Sequence, residues 1–280
     1  MKSSLMQRLI TALIGIPLIV ASILLFAEHN HICFFIVILA VTVIGTYEMK
    51  ENILSKKGPV GNAAYLSVLL PLAEYIDQVF YKEEGLVLFT LAIIIGIGFM
   101  VEIFKSPEDG FTSALDKSAR TTLATIYPGF FTALVTKILF LPESTAYIVL
   151  YFALVFGTDS FAYFTGMAFG KNNKVIFKVS PNKSLAGFIG GIAIPTIFCA
   201  LAPTLFDVYH FSTMQGVIIG LMTSIFACTG DLIESTFKRS AGVKDSGVAV
   251  PGRGGMLDSL DSLMIAGPIY IALVEIFLGV

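Results

Sequence analysis

Nine runs of apolar residues, each about as long as a bilayer is thick, leave this chain few ways to fold. They fall at about 9–27, 32–49, 60–78, 85–104, 121–141, 145–165, 185–206, 211–230 and 260–280. A helix of roughly 20 apolar residues crosses the hydrocarbon core. Inside that core each backbone N–H and C=O needs a partner within the protein, which a helix supplies turn by turn. Composition agrees, since 56% of residues are apolar and only 14% charged, where soluble domains carry about 25% charged residues. The expected fold is all-α, a polytopic integral membrane protein with about nine transmembrane helices. The first run reads as a retained helix, because Leu24-Leu25-Phe26-Ala27 before Glu28 lacks the small-residue pattern of a signal cleavage site.

Lysine and arginine set the orientation, because cytoplasmic loops keep the excess. With a cytoplasmic N-terminus, the inner segments hold Lys2 and Arg8, then Lys50, Lys56 and Lys57, then Lys105, Lys117 and Arg120. They continue with Lys171, Lys174, Lys178 and Lys183, and end with Lys238, Arg239, Lys244 and Arg253. That is sixteen of the eighteen, which leaves Lys82 and Lys137 outside. The two long polar loops, 166–184 and 231–259, then face the cytoplasm. Both belong to the back half, so residues 1–141 read as scaffold helices and 142–280 as the reactive region of one integrated membrane unit. Cys33, Cys199 and Cys228 each sit alone in an apolar run and read as small core residues. His29, His31 and His210 fall on the outer side, away from the charged loops, which disfavours a histidine metal site. Gly166/Gly170, Gly187/Gly191 and Gly216/Gly220 have the four-residue spacing of close helix packing.

Charge at the density of 231–261 is costly beside a membrane unless it meets water, a metal or a charged ligand. Asp231 directly follows an apolar run ending Cys228-Thr229-Gly230, and Asp231, Glu234, Ser235 and Lys238 fall on one face if that helix continues. A solvated helix end is the plain alternative. Pro251-Gly252-Arg253-Gly254-Gly255 leads into a helix carrying Asp258 and Asp261 three residues apart. Glycines there allow close backbone approach, and N–H groups at a helix start suit a phosphate. Carboxylates beside an anion site suit a hard divalent cation such as Mg²⁺. Asp159 lies within the sixth run, where an acid is a functional candidate or a structural partner. Ser180-Pro181-Asn182-Lys183-Ser184 forms a turn whose lysine can reach a phosphate or serve as an anchor at the membrane face.

With those residues assembled, the chain resembles the phosphatidate cytidylyltransferases, also called CDP-diacylglycerol synthases. Their C-terminal signature reads S-x-apolar-K-R-x4-K-D-x-small, then P-x-H-G-G-apolar-x-D-R-apolar-D. Here it stands as Ser235, Phe237, Lys238, Arg239, Lys244, Asp245 and Gly247, then Pro251, Gly254, Gly255, Met256, Asp258, Leu260 and Asp261. No gap interrupts these 27 positions. Upstream, Asp159-Ser160, Ala162-Tyr163-Phe164, Gly166, Ser180-Pro181, Lys183-Ser184 and Gly187 are similar to the family's second block. The resemblance covers the C-terminal half. Four positions depart from it: Arg253 stands where His is usual, Ser259 where Arg is usual, Asn182 for Lys and Ala186 for Glu.

The resemblance implies transfer of CMP from CTP to phosphatidic acid, giving CDP-diacylglycerol and pyrophosphate, at the cytoplasmic side of the cell membrane. It implies Mg²⁺ on Asp231 and Asp258, with a second metal ion left open. Lys238, Arg239 and Lys244 offset phosphate charge, with Asp245 and Asp261 beside them. Asp159, Ser180, Lys183, Ser235, Arg253, Gly254 and Gly255 contact substrate or phosphate. Expected partners are CTP, phosphatidic acid and membrane lipids, with no nucleic acid; a homodimer is allowed and not required. The alternatives are a CTP-dependent polyprenol or lipid kinase and a non-enzymatic membrane transporter. A CDP-alcohol phosphotransferase is disfavoured, because its pattern of acids four apart is missing.

Overall fold

A computed structural model describes residues 2–81, 85–105, 110–171, 173, 177–181 and 183–279. Lys82, Lys174 and Asn182, used in the charge count and the motif comparison, lie outside the described residues. The described chain is helical, with no strand; Val250 and Gly254 form an isolated bridge. Seven helical segments are long and apolar enough to cross a membrane: Ile32–Lys56, Leu86–Phe104, Ala114–Phe140, Ser144–Phe169, Leu185–Leu205, Thr213–Ala241 and Leu257–Leu278. They match seven of the nine expected runs. The first run lies in helix α1, Lys2–Leu24, whose shorter apolar stretch is Leu13–Leu24.

The third run, 60–78, is not one regular helix. It consists of a 3₁₀ segment Asn62–Val68, a short helix α3 (Leu69–Ile76) and a π turn Asp77–Tyr81. Polar groups turned inward account for the break. Ser67, Glu74 and Asp77 are buried, and Asp77 Oδ2 accepts from Gly85 N at 3.1 Å and Leu86 N at 3.0 Å. Asp77 thereby satisfies orphan N–H groups at the start of helix α4, Leu86–Lys105.

The chain divides into two compact units, Met1–Lys137 with Phe237–Ser259, and Ile138–Thr236 with Leu260–Val280. In the first, α2 (Ile32–Tyr47) runs on through a π turn, Glu48–Ile53, and a 3₁₀ turn, Leu54–Lys56. Helices α5 (Ala114–Thr125) and α6 (Phe131–Thr136) flank a second π turn, Ile126–Phe130. Leu70, Ala73, Val87, Ile94 and Ala133 form an apolar core. Buried hydroxyl pairs tie α2 to its neighbours, Thr42 to Thr132 at 2.9 Å and Thr46 to Ser67 at 2.7 Å. The Lys117–Glu102 ion pair at 2.9 Å joins α5 to α4.

The second unit is built from α7 (Ser144–Phe169), α8 (Leu185–Leu205) and the larger parts of α9 (Thr213–Ala241) and α10 (Leu257–Leu278). Small residues let the backbones touch, as the glycine spacing suggests. A methyl on Gly191 would lie 2.8 Å from Thr158 O, and one on Gly216 would lie 2.6 Å from Cys199 O. Ser184 starts α8 as its N-cap, accepting from Gly187 N at 3.0 Å. All three cysteines are free.

Candidate active site

Helix α9 ends where it does because Gly242 adopts φ +72°. Val243 N donates to Lys238 O at 3.0 Å and Gly242 N to Arg239 O at 3.1 Å, the paired bonds of a Schellman stop. The Phe237 ring meets Tyr127 edge-on at 5.3 Å between centroids, which seats this helix end within the first unit. Lys238 is thereby fixed, and its ammonium donates to Asp258 Oδ1.

Asp258 belongs to the first turn of α10, and its other oxygen reaches back into the preceding loop. Oδ2 accepts from Gly255 N at 2.7 Å and from Ser246 N at 2.8 Å, with Ser246 Oγ at 3.0 Å. The loop closes on itself through Val250 N to Gly254 O at 2.8 Å and Gly254 N to Val250 O at 3.1 Å. Gly252 and Gly254, at φ +78° and +114°, permit that closure. The N–H groups of Gly254 and Gly255 are thus used inside the loop, one on Val250 and one on Asp258. Arg239, Lys244, Asp245 and Arg253 are exposed around it. Ser259 stands 3.4 Å from Gly255 O and donates to it.

The second unit gathers another set of charges. The turn after α7 sets Lys183 N on Ser180 O at 3.2 Å, and Lys183 Nζ pairs with Asp231 Oδ2 at 2.5 Å. Ser235, one turn along α9, donates to Asp231 Oδ1 at 3.4 Å. Asp261 is buried and accepts from Ser262 N at 2.6 Å. The charges of Asp231, Glu234 and Asp159 all bear on it. Gly230 makes the gathering possible, since a methyl there would lie 2.5 Å from Asp261 O and 2.9 Å from Ser262 Cα. Asp159, Lys183, Asp231 and Asp261, spread over a hundred positions, share one neighbourhood. Asp258 and Asp261 have different partners, although one turn of α10 carries both.

Two residues of the first cluster escape sequence reasoning. Ser246, fully buried, carries no motif. Glu48 binds the same loop from the front half of the chain. A signal for Glu48 exists: like Asp231, it is a carboxylate set at the end of an apolar run. Among the described residues no three His, Cys, Asp or Glu side chains are arranged to hold a metal. Asp231 and Asp258 nevertheless offer hard anionic oxygens, each with a lysine on one of them. Each, taken by itself, suits a cation that draws few ligands from protein and the rest from phosphate and water, as Mg²⁺ does.

A helical membrane protein with lysine-paired carboxylates on the two helices before and after a glycine-rich loop defines a class suited to phosphate chemistry. The chain belongs to the cytidylyltransferase family, whose sequence model matches residues 6–277. It is 33% identical to a phosphatidate cytidylyltransferase of Thermotoga maritima over 283 residues, covering 98% of this chain and 97% of that one. The phosphatidate cytidylyltransferase of Haemophilus influenzae is 42% identical over 139 residues, 46% of each chain. That of Staphylococcus aureus is 43% identical over 131 residues, 45% of this chain and 48% of its own.

Proposed function

We propose that this protein is a phosphatidate cytidylyltransferase of the cell membrane, working at the cytoplasmic face with Mg²⁺. A phosphate oxygen of phosphatidic acid attacks the α-phosphorus of CTP. The new P–O bond forms as the bond to the β-phosphate oxygen breaks, which leaves CDP-diacylglycerol and pyrophosphate. The observation that carries this reading is the span of the family match, 6–277, which takes in every residue of both charged clusters.

The attacking oxygen is already anionic near neutral pH, so no strong general base is needed. What the reaction requires is that two anions be held together and the charge of the leaving pyrophosphate be offset. Lys183 and Lys238, each resting on a carboxylate, are cations that can exchange that carboxylate for a phosphate oxygen. The exposed Arg239, Lys244 and Arg253 supply the positive field that draws a triphosphate from water. Asp231 and Asp258 are the carboxylates assigned to Mg²⁺. When bound, that ion neutralises the triphosphate and stabilises the departing oxygen. Asp159 and Asp261 are the further acids of the second unit and Asp245 that of the first, with Ser180 and Ser235 as hydroxyl donors.

The test is product analysis with labelled CTP and phosphatidic acid in the full-length protein. Label from the α-phosphate in lipid, with pyrophosphate released, supports the reading. Transfer of the γ-phosphate alone identifies a kinase, and no turnover points to a non-enzymatic role.

A further inference from the structure

We propose that Glu48 is the positioning residue of this site, holding the 246–257 loop in the shape that presents Asp258. Glu48 is 2% exposed and stands where α2 widens into its π turn. Its Oε1 accepts from Met256 N at 2.9 Å and its Oε2 from Leu257 N at 2.9 Å. Those N–H groups are orphan donors at the start of α10, which has no partner for them within itself. A carboxylate in that place also meets the positive end of the helix dipole.

The loop is shaped around this carboxylate. A methyl on Gly255 would lie 2.5 Å from Glu48 Oε2, and one on Gly247 would collide with Oε1. Only residues without a side chain let the backbone come so near. Ser246 couples the two acids, its hydroxyl 3.2 Å from Glu48 Oε2 and 3.0 Å from Asp258 Oδ2. One turn beyond Glu48, Asn52 Nδ2 donates to Ser246 O at 2.7 Å. Leu257 covers Gly45, where a methyl would lie 3.2 Å from Leu257 Cδ2. The end of α2 therefore grips both ends of the loop, and Asp258 follows directly on Leu257.

The chemistry demands an acid. Two carboxylate oxygens receive two N–H groups and share a hydroxyl, whereas an amide has a single acceptor oxygen. In Glu48→Gln the NH₂ would face a backbone N–H, donor against donor. Glu48→Asp keeps both acceptors on a shorter arm. Glu48 acts through the loop and is not assigned to substrate.

This inference rests on the transferase reading for its catalytic half, and hydrogen exchange tests the other half without it. In full-length protein in detergent, Glu48→Gln should speed exchange of the peptide containing Met256 and Leu257, while peptides of α7 and α8 exchange as before. With CTP and phosphatidic acid, the same variant should lose at least about tenfold in kcat with little change in KM for CTP. Glu48→Asp should recover part of both. Normal kcat in Glu48→Gln overturns the proposal. So does a loss of kcat with unchanged exchange at 256–257, or faster exchange throughout the chain, which marks a general folding role. If the unaltered protein forms no CDP-lipid, the transferase reading falls and takes the catalytic half with it. The exchange data then still decide whether Glu48 holds the loop.

Discussion

Lys238 and Asp258 stand twenty residues apart and close into one ion pair, with side chains only 13% and 8% exposed. The pair joins the last turns of α9 to the first turn of α10 across the loop. Removing one partner from a pair this buried leaves a charge uncompensated, at a cost of about 3–5 kcal/mol. Lys238→Met should therefore lower thermal stability sharply. Adding Asp258→Asn to it should restore most of that stability, because the amide oxygen still accepts from Ser246 N and Gly255 N. Activity should stay absent in the double variant. Melting curves beside CTP turnover separate the two effects, and a double variant no more stable than Lys238→Met would refute the pairing argument.

The Lys183–Asp231 pair is about one-third exposed on each side, so its worth to stability is about 0–1 kcal/mol. Asp231→Asn should fold with nearly unchanged stability and lose CTP turnover, since an amide cannot supply the anionic oxygen Mg²⁺ needs. Chelation by EDTA should abolish activity of the unaltered protein, and added Mg²⁺ should restore it. Near-normal turnover by Asp231→Asn at saturating Mg²⁺ would remove that residue from the metal assignment.

Gly230 and Gly96 are both helical glycines with opposite surroundings. A methyl on Gly230 would press on the backbone at Asp261 and Ser262, while Gly96 has nothing within 4 Å. Gly230→Ala should destabilise by about 1–3 kcal/mol through overpacking and reduce activity by disturbing Asp231 and Asp261. Gly96→Ala should be neutral or stabilising by about 0.5–1 kcal/mol, because alanine is the better helix former. Equal behaviour of the two in unfolding experiments would contradict the packing described here.

Orientation is testable through Asp245, which is exposed. A cysteine placed by Asp245→Cys should react with a membrane-impermeant maleimide only after cells are permeabilised, with the unsubstituted chain as control. Labelling in intact cells would put the charged loop on the side without CTP.

The back half of the chain was legible because its signals are local. Runs at 145–165, 185–206, 211–230 and 260–280 became helices at Ser144–Phe169, Leu185–Leu205, Thr213–Ala241 and Leu257–Leu278. The structure adds that Ser184 caps the start of α8 and Gly242 stops α9. The run at 60–78 misled, because apolar content alone does not reveal that Ser67, Glu74 and Asp77 turn inward and that Asp77 caps the next helix.

Sequence by itself determined that the chain is helical and membrane-embedded, since continuous apolar runs of about 20 residues satisfy their backbone in lipid as helices. It also singled out 231–261 as the candidate reactive stretch, because uncommon residues at rigid spacing stand out against hydrocarbon. Only the tertiary structure decided which charges meet. Lys183 pairs with Asp231 and Lys238 with Asp258, and Glu48 reaches residues 208 and 209 positions away. Such pairings depend on where whole helices pack, and no local periodicity encodes a hydrogen bond made across the fold.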